Sequence, residues 1–322
     1  MTEKSTECSI PCNLCGSRDV QEICNVDRDG NYLRTVLCKE CGLAWTDPRP
    51  NADEIRNFYS KNYRVSYKGT DTPKMKHVYR AGMNAAARYS VLKAFSKPGD
   101  AVLDIGAGGG EFVFLLRKLG YEANGIEPNE GYGTYAKEHL GVPVEIGFAQ
   151  QAELAADSYN VITLHHVFEH LDDPAQMLMR IRGALREGGH LIIDVPNLEA
   201  TCFAPISRFH TAHLFTFNPA TLTAMCKRAG FELRALEVSG DGGVIGAVFQ
   251  KAAVPTGFEP RLEGNFEKLA AIIAGHTNLS HFLTKHPYIR PVARLSRSLR
   301  EKKAIRGASS GREVLDRIAE TV

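Results

Sequence analysis

In the middle of the chain, short apolar runs typical of strands alternate with segments whose apolar residues have helical spacing. Short apolar runs at residues 101–105, 122–126, 142–146, 160–164 and 190–195 each predict a buried strand. Between the first two runs, apolar residues recur at helical spacing, namely Phe112, Leu115, Leu116 and Leu119. A further helix is predicted to begin at Asp172-Asp173-Pro174, with the proline in its first turn, and to end at Gly188-Gly189. This alternation predicts an α/β fold with a doubly wound sheet.

Two more strand-like runs, 231–238 and 243–250, follow a helix predicted over 219–229. The turn Gly240-Asp241-Gly242 joins them, and a connection of hairpin length requires antiparallel strands. The sequence therefore predicts a Rossmann-like sheet of seven strands, in which the last strand runs antiparallel to the others.

Four segments differ in composition. Residues 1–50 are rich in cysteine, and 51–97 have the pattern of a helical connector. Residues 98–252 contain the predicted sheet, and 253–322 form a helical, basic extension after the linker Val254-Pro255-Thr256-Gly257. These boundaries are the predicted domain boundaries.

Composition narrows the function class. The 322 residues are 43% hydrophobic and 24% charged, with a formal net charge of +2, so no global field marks a nucleic-acid binder. The start of the chain has no apolar signal core, and no apolar run approaches the ~18 residues of a membrane span. Six of the eight cysteines precede residue 42, which favours metal binding over disulfides. We therefore expect a cytoplasmic protein.

A glycine-rich turn connects the first predicted strand to the first helix. Gly106 and Gly108 permit a tight turn and a close approach of the backbone to a ligand. Glu127 follows the second strand, about 20 residues later, where a carboxylate can bind both hydroxyls of a ribose. Asp104 precedes the turn and would repel a pyrophosphate, which disfavours a dinucleotide cofactor.

With this strand, turn and acidic residue, roughly residues 98–252 resemble the class I S-adenosylmethionine-dependent methyltransferases, whose sheet also has a reversed last strand. The resemblance implies that S-adenosyl-L-methionine is the cofactor. It implies that Asp104, Gly106 and Gly108 hold the methionine part and that Glu127 binds the ribose. It also places Phe148 and Ala149 beside the adenine, where many relatives have an acidic residue that this chain lacks.

Five histidines are candidates for the chemical step. His165, His166 and His170 follow the fourth strand, and His210 and His213 follow the fifth. Ligands of open α/β sheets bind beyond the carboxyl ends of strands, and an imidazole can take the proton of a hydroxyl acceptor near neutral pH. His165 and His166 are the first candidates for this base.

The other three histidines have alternative roles. His210 and His213 are predicted to bind the acceptor or to act as the base, and His170 with Glu169 alternatively holds the loop. The sequence of this loop, residues 165–174, resembles that of one group of methyltransferases. The group includes quinone O-methyltransferases and enzymes of bacterial surface-sugar pathways. Some quinone-modifying relatives have an acidic metal ligand where this chain has His166, so we expect no catalytic metal.

Two C-x-x-C-G motifs predict a zinc ribbon. Cys12, Cys15, Cys38 and Cys41 can place four thiolates around one structural Zn²⁺. Residues 1–50 carry six basic and eight acidic side chains, which disfavours a ribbon that binds RNA. Residues 43–50 resemble a linker in sugar-pathway methyltransferases with the same ribbon. We expect the ribbon to shape an acceptor pocket or a subunit contact.

The sequence does not decide the role of the basic segment near the end of the chain. Between Arg290 and Arg306 there are seven basic residues and one acid, and Val292, Leu295 and Leu299 lie close to one helical face. This pattern is typical of a site for an anionic acceptor, of a helix on a membrane surface, or of a solvated helix face.

The sequence predicts an S-adenosylmethionine-dependent methyltransferase that O-methylates a sugar, nucleotide-sugar or glycan acceptor with a histidine base. C-methylation of a keto-sugar is an alternative, although residues 48–63 differ from what we expect of such enzymes. An RNA methyltransferase is a second alternative, disfavoured by the charge of the ribbon. A non-catalytic binding module is a third, disfavoured by the intact glycine turn with Glu127.

Overall fold

The computed structural model describes residues 8–50 and 72–322. Much of the predicted connector at 51–97, and most of the 48–63 segment, therefore lie outside the described residues, as do residues 1–7. Of the connector, the structure describes one helix, Met75–Leu92. Among the residues described, no helix has the length and apolar content to cross a bilayer.

In chain order, the strands are β1 (Val20–Val26), β2 (Tyr32–Cys38), β3 (Ala44–Thr46), β4 (Ala101–Ile105), β5 (Glu122–Glu127), β6 (Val144–Ile146), β7 (Tyr159–His165), β8 (Leu185–Pro196), β9 (Phe215–Thr216), β10 (Phe231–Val238) and β11 (Val244–Lys251). The α-helices are α1 (Met75–Leu92), α2 (Glu111–Lys118), α3 (Glu130–Tyr135), α4 (Pro174–Ala184), α5 (Pro219–Arg228), α6 (Asn265–Gly275), α7 (Asn278–Phe282), α8 (His286–Ala304) and α9 (Gly311–Ala319).

Seven strands form one mixed sheet in the order β10-β11-β8-β7-β4-β5-β6. The pairs β4–β5, β4–β7 and β5–β6 are parallel, and β10–β11 is antiparallel. This confirms the predicted Rossmann-like sheet with its reversed last strand.

The predicted end of α4 is wrong by one helical turn. The helix ends at Ala184, and β8 already begins at Leu185, so Gly188-Gly189 lie within the strand. A Cβ atom on Gly189 would lie 2.8 Å from the carbonyl oxygen of Arg186 and 3.1 Å from that of Asn160. The glycine is therefore needed for close backbone approach rather than for a helix stop.

The described residues fall into two compact units. The ribbon unit comprises residues 8–50, 165–182 and 193–291, and the loop unit comprises 72–164, 183–192 and 292–322. In the loop unit, α9 packs on α1 and α2. A Cβ atom on Gly82 would lie 2.6 Å from Leu315 and 2.7 Å from Ile318, so α1 and α9 pack at close range.

In the ribbon unit, the N-terminal strands continue into a later part of the chain. The sheet order is β1-β2-β3-β9, and β3 pairs with β9 through Ala44–Thr216 and Trp45–Phe215. The buried cluster of Leu33, Leu37, Ala44, Leu198, Phe209 and Leu269 combines residues from both parts. The domain boundaries at residues 50, 97 and 252 stay a prediction.

Asn265, the first residue of α6, joins the second cysteine motif to α5. Its amide nitrogen donates to the carbonyl oxygen of Cys41 at 2.8 Å, and its amide oxygen accepts from Asn218 at 2.8 Å. Asn218 in turn caps α5 through a capping box with Thr221. Gly42 has φ +74°, and a Cβ atom there would lie 2.5 Å from the Asn265 amide, so the contact requires glycine.

We expect Asn265→Ala to lower the free energy of unfolding by about 1–3 kcal/mol, because it removes two buried hydrogen bonds, one to the carbonyl oxygen of Cys41 and one from Asn218. Urea unfolding followed by the fluorescence of Trp45, the single tryptophan and a buried residue of the same unit, measures this. Glu267→Ala, an exposed change on the same helix, is the control. Equal midpoints for the two variants would contradict the assigned role of Asn265.

Candidate functional site

The glycine turn after β4 is held against the end of β5. Gly106, Gly108 and Gly110 have φ of +79°, +59° and +80°, a region that side chains rarely adopt. The backbone nitrogens of Gly106 and Ala107 both donate to the carbonyl oxygen of Ile126, at 2.8 and 3.0 Å. The turn therefore has a fixed shape before any ligand binds.

Glu127, at the end of β5, lies against this turn. One carboxylate oxygen accepts from the backbone nitrogen of Gly108 at 2.8 Å, and the other accepts from that of Asn129 at 3.1 Å. The carboxylate is buried. The structure thus brings together the turn and the acidic residue that the sequence singled out.

Asp104 and the 147–149 segment lie at the same sheet edge. The Asp104 carboxylate accepts a hydrogen bond from the hydroxyl of Thr163 on β7 at 2.7 Å, which fixes its orientation. The backbone nitrogen of Gly147 donates to the carbonyl oxygen of Glu127 at 3.0 Å. Phe148 and Ala149 therefore follow directly after a contact with the candidate ribose-binding residue.

His165, the last residue of β7, pairs with a carboxylate that sequence reasoning missed. Its Nδ1 lies 2.5 Å from Oδ2 of Asp194, near the end of β8, and the imidazole is buried. The backbone nitrogen of His166 also donates to the carbonyl oxygen of Asp194 at 2.9 Å. An acid next to the carboxyl end of a predicted buried strand was the available signal, because ligands bind at that edge.

The other candidate histidines gather around Glu169. Nδ1 of His170 lies 2.7 Å from the carbonyl oxygen of Ala212, so it acts as the donor there. The rings of His170 and His213 lie 4.9 Å apart, and those of His210 and His213 lie 5.2 Å apart. Nδ1 of His166, a residue with φ +57°, lies 3.5 Å from the Glu169 carboxylate.

Burial determines the charges in this cluster. Desolvation lowers the pKa of His210 to about 4 and that of His213 to about 3, so both are neutral at pH 7. Although its own burial raises the pKa of Glu169, the neighbouring histidines, His170 first, lower it to about 2. Glu169 is therefore a buried anion whose compensation comes from imidazoles.

One grouping in this cluster was not predicted. The ligand atoms of Glu169, His170 and His213 lie within 4.8 Å of one another, and a carboxylate with two imidazoles also fits a divalent cation. His213 comes from a separate loop, so its position in the sequence does not indicate that it completes such a set.

The four motif cysteines converge. All four sulfurs lie within 4.8 Å of one another, with Cys12–Cys41 at 3.6 Å and Cys15–Cys38 at 3.4 Å. Tetrahedral zinc with Zn–S bonds of about 2.3 Å needs sulfur separations of about 3.8 Å, so the cluster has the right size. Hydrogen bonding to Cys12 raises the pKa of Cys41 and lowers that of Cys15, so one thiolate forms at the expense of another unless a cation binds.

The first cysteine motif also supports the histidine loop. The side chain of Asn13 donates to Asp173 at 3.0 Å and accepts from the backbone nitrogen of Ala175 at 3.0 Å. Arg228 of α5 donates to the carbonyl oxygens of Asn13 and Leu14. Asn13 thereby caps α4, the helix that follows the histidines. Cys202 and Cys226 are buried apart from the cluster, as expected of core residues.

Comparisons with known proteins agree on one domain. A family profile described as a methyltransferase domain matches residues 76–236. Over 159 residues the chain is 31% identical to the ubiquinone biosynthesis O-methyltransferase of Nitrosococcus oceani, which covers 44% of this chain and 67% of the relative. The enzyme of the same name from Marinobacter nauticus is 28% identical, again over 44% and 67%.

A solved structure shows the same fold. Phosphoethanolamine N-methyltransferase 2 of Haemonchus contortus, in complex with S-adenosyl-L-methionine, superposes with a TM-score of 0.52. The match covers 65% of this chain and 62% of that chain, at 15% identity.

We expect protein purified without added metal to contain about one zinc per chain. Cys38→Ser/Cys41→Ser should abolish the zinc content, because two of the four ligands are lost, and elemental analysis measures it. Cys24→Ser, a cysteine outside the cluster, is the matched control and should keep the metal. Zinc near zero in the wild type, or unchanged zinc in the double variant, would contradict the assignment.

Proposed function

Because the chain belongs to the S-adenosylmethionine-dependent methyltransferases, we propose that it transfers the methyl group to a hydroxyl oxygen of a small acceptor, with His165 as the general base. The family assignment makes the protein an enzyme, so a non-catalytic binding module is no longer needed as an explanation. The names of both bacterial relatives specify O-methylation, which favours oxygen over carbon as the acceptor atom.

The pair of His165 and Asp194 carries this proposal. With Nδ1 held by the carboxylate at 2.5 Å, the ring has a fixed orientation and Nε2 is the atom that accepts a proton. The carboxylate also stabilises the imidazolium that forms, as in other histidine–carboxylate pairs. His210 and His213 are weaker candidates, because groups with a pKa of about 4 and about 3 are poor bases at neutral pH.

The chain position of His165 supports the same role. It directly follows Leu164, whose register partner on β4 is Ile105, the residue before the glycine turn. Strands β4 and β7 are parallel neighbours, so their carboxyl ends lie at one edge of the sheet, where cofactors of such folds bind. We infer that Gly106, Gly108 and Glu127 hold the cofactor at this edge.

The reaction needs little beyond positioning and one base. When bound, S-adenosyl-L-methionine supplies a methyl carbon activated by a positively charged sulfur. His165 removes the hydroxyl proton while the oxygen–carbon bond forms and the carbon–sulfur bond breaks, with the bonding electrons left on sulfur. Asp194 is a positioning residue that keeps His165 in the productive tautomer.

A sugar, nucleotide-sugar or glycan hydroxyl is our proposed acceptor. Such a hydroxyl holds its proton more tightly than a phenol, so it benefits more from a base supported by a carboxylate. The two cysteine motifs and residues 43–50 resemble those of sugar-pathway methyltransferases, which supports this choice. The names of the relatives support a hydroxylated quinone precursor instead.

The acceptor is tested by incubating the protein with labelled cofactor and a panel of nucleotide sugars, glycans, quinone precursors, keto-sugars and RNA. Labelling of RNA or of a keto-sugar carbon alone would overturn the proposal.

With the acceptor so identified, we expect His165→Gln to lower turnover by about a hundredfold to ten-thousandfold, because the general base is lost. Its affinity for the cofactor should stay near that of the wild type. Asp194→Asn should give a smaller loss and a changed pH profile, since it disturbs the tautomer. Wild-type turnover should fall as the pH is lowered, because a protonated imidazole takes no proton.

Parallel variants identify the base. His166→Gln, His170→Gln, His210→Gln and His213→Gln are measured separately, and His286→Gln, outside both clusters, is the control. Normal turnover by His165→Gln would exclude it, and a large loss in one of the others with intact cofactor binding would move the role there.

For the cofactor, we expect S-adenosyl-L-methionine to bind in the micromolar range, and Glu127→Ala to weaken binding by about tenfold or more. The change removes the candidate ribose ligand together with the acceptor for the Gly108 nitrogen. Glu127→Gln separates these effects, because its amide oxygen still accepts from Gly108. Calorimetry measures all three proteins.

Glu130→Ala is the matched control, since it removes the same charge from an exposed position three residues away. Binding of the dinucleotide NAD without binding of S-adenosyl-L-methionine would refute the cofactor assignment, and equal affinities for Glu127→Ala and Glu130→Ala would refute the role of Glu127.

A further inference from the structure

The end of helix α8 contacts helix α1 through its charged side. Glu301 is buried, and its two carboxylate oxygens accept from Nε and Nη2 of Arg80 on α1, each at 2.9 Å. Arg297, one turn earlier, also reaches this carboxylate at 3.7 Å. The hydrogen bonds of Arg80 lower the pKa of Glu301, so the group stays ionised. An ion-pair cluster therefore fixes which side of α8 faces α1.

The opposite side of the helix is apolar and exposed. Val292, Leu295 and Leu299 have 68%, 64% and 60% of their surface accessible. At 3.6 residues per turn, the three lie within about 60° of one another around the axis, and Glu301 lies about 150° from their centre. The apolar stripe therefore points away from α1.

This orientation is the reverse of the usual one. A surface helix normally turns its apolar stripe to the core and its charges to water. Here an ion pair occupies the inner face and aliphatic side chains occupy the outer one, which is the arrangement expected where a further surface covers the stripe.

The charge around the stripe indicates what that surface is. Residues 292–306 carry six basic side chains and one acid, and the acid is already paired with Arg80. A second copy of the chain would bring two such cationic helices together, which electrostatic repulsion opposes. An anionic lipid surface instead compensates the charge and accepts the aliphatic side chains.

We propose that residues 292–306 dock the protein on anionic phospholipid membranes, with Val292, Leu295 and Leu299 inserted at the level of the headgroups. Lys302 and Lys303, which flank the stripe, and Arg300 then lie near the lipid phosphates, and the Glu301–Arg80 contact keeps the helix attached to the loop unit. This proposal is independent of the acceptor and of the catalytic base.

Cosedimentation of the full chain with vesicles of phosphatidylglycerol and phosphatidylcholine in equal parts tests it, against vesicles of phosphatidylcholine alone. The wild type should bind the anionic vesicles more strongly and release them at high salt. Leu295→Lys should weaken this binding by about tenfold or more, although it adds a positive charge, because an inserted side chain becomes charged. Val91→Lys, which adds the same charge at an exposed apolar position on α1, is the control and should bind at least as well as the wild type.

Lys302→Gln/Lys303→Gln should weaken binding by roughly fivefold for each charge removed. Cofactor binding by calorimetry shows that each variant is folded, since these residues lie on an exposed helix face. The proposal is overturned if the wild type ignores anionic vesicles, or if Leu295→Lys binds as tightly as Val91→Lys, which would indicate charge attraction without insertion. A change from dimer to monomer in Leu295→Lys, without vesicle binding by the wild type, would assign the stripe to self-association instead.

Discussion

The position of the histidine loop depends on the side chain of Asn13, which joins this loop to the cysteine cluster. Asn13 lies between Cys12 and Cys15, so the sulfur cluster sets its position, and its amide group caps α4 through Asp173 and Ala175. The residues from His165 to Asp173 are thus held at one end by β7 and at the other by a cysteine motif. The ribbon in this chain acts as a support for the loop that carries the candidate chemistry.

Their surroundings then distinguish three of the histidines chemically. His210 and His213 are kept neutral by desolvation, and His213 also lies beside the buried anion Glu169. His165 is instead paired with the carboxylate of Asp194, which fixes the orientation of its ring. In the proposed mechanism, His210 and His213 hold a loop or a ligand in place, and His165 accepts the proton. The same residue type is proposed for both roles because the surroundings of the imidazoles differ.

The sequence predicted what depends on short-range pattern. Strands β4 and β10 match the predicted bounds, and the glycine turn and Glu127 meet as their spacing indicated. The parts it missed depend on residues far apart in the chain. Asn13 lies 160 residues from Asp173, and β9 joins a sheet that begins at residue 20. The sequence predicted that Gly188 and Gly189 end a helix, whereas they lie in β8. The need for glycine there comes from a backbone that passes close by, and the local sequence pattern does not show which backbone that is.

Helix α8 shows the same limit for amphipathic patterns. Periodicity establishes that Val292, Leu295 and Leu299 share a face, but the direction of that face depends on what holds the helix. For α9 the apolar residues Val314, Leu315 and Ile318 are buried and the usual rule applies. For α8 the partner on α1 is Arg80, and its bidentate pair with Glu301 lies on the side of the helix opposite the apolar stripe. The direction of the stripe therefore follows from a contact between residues 221 positions apart, which periodicity along one helix does not contain.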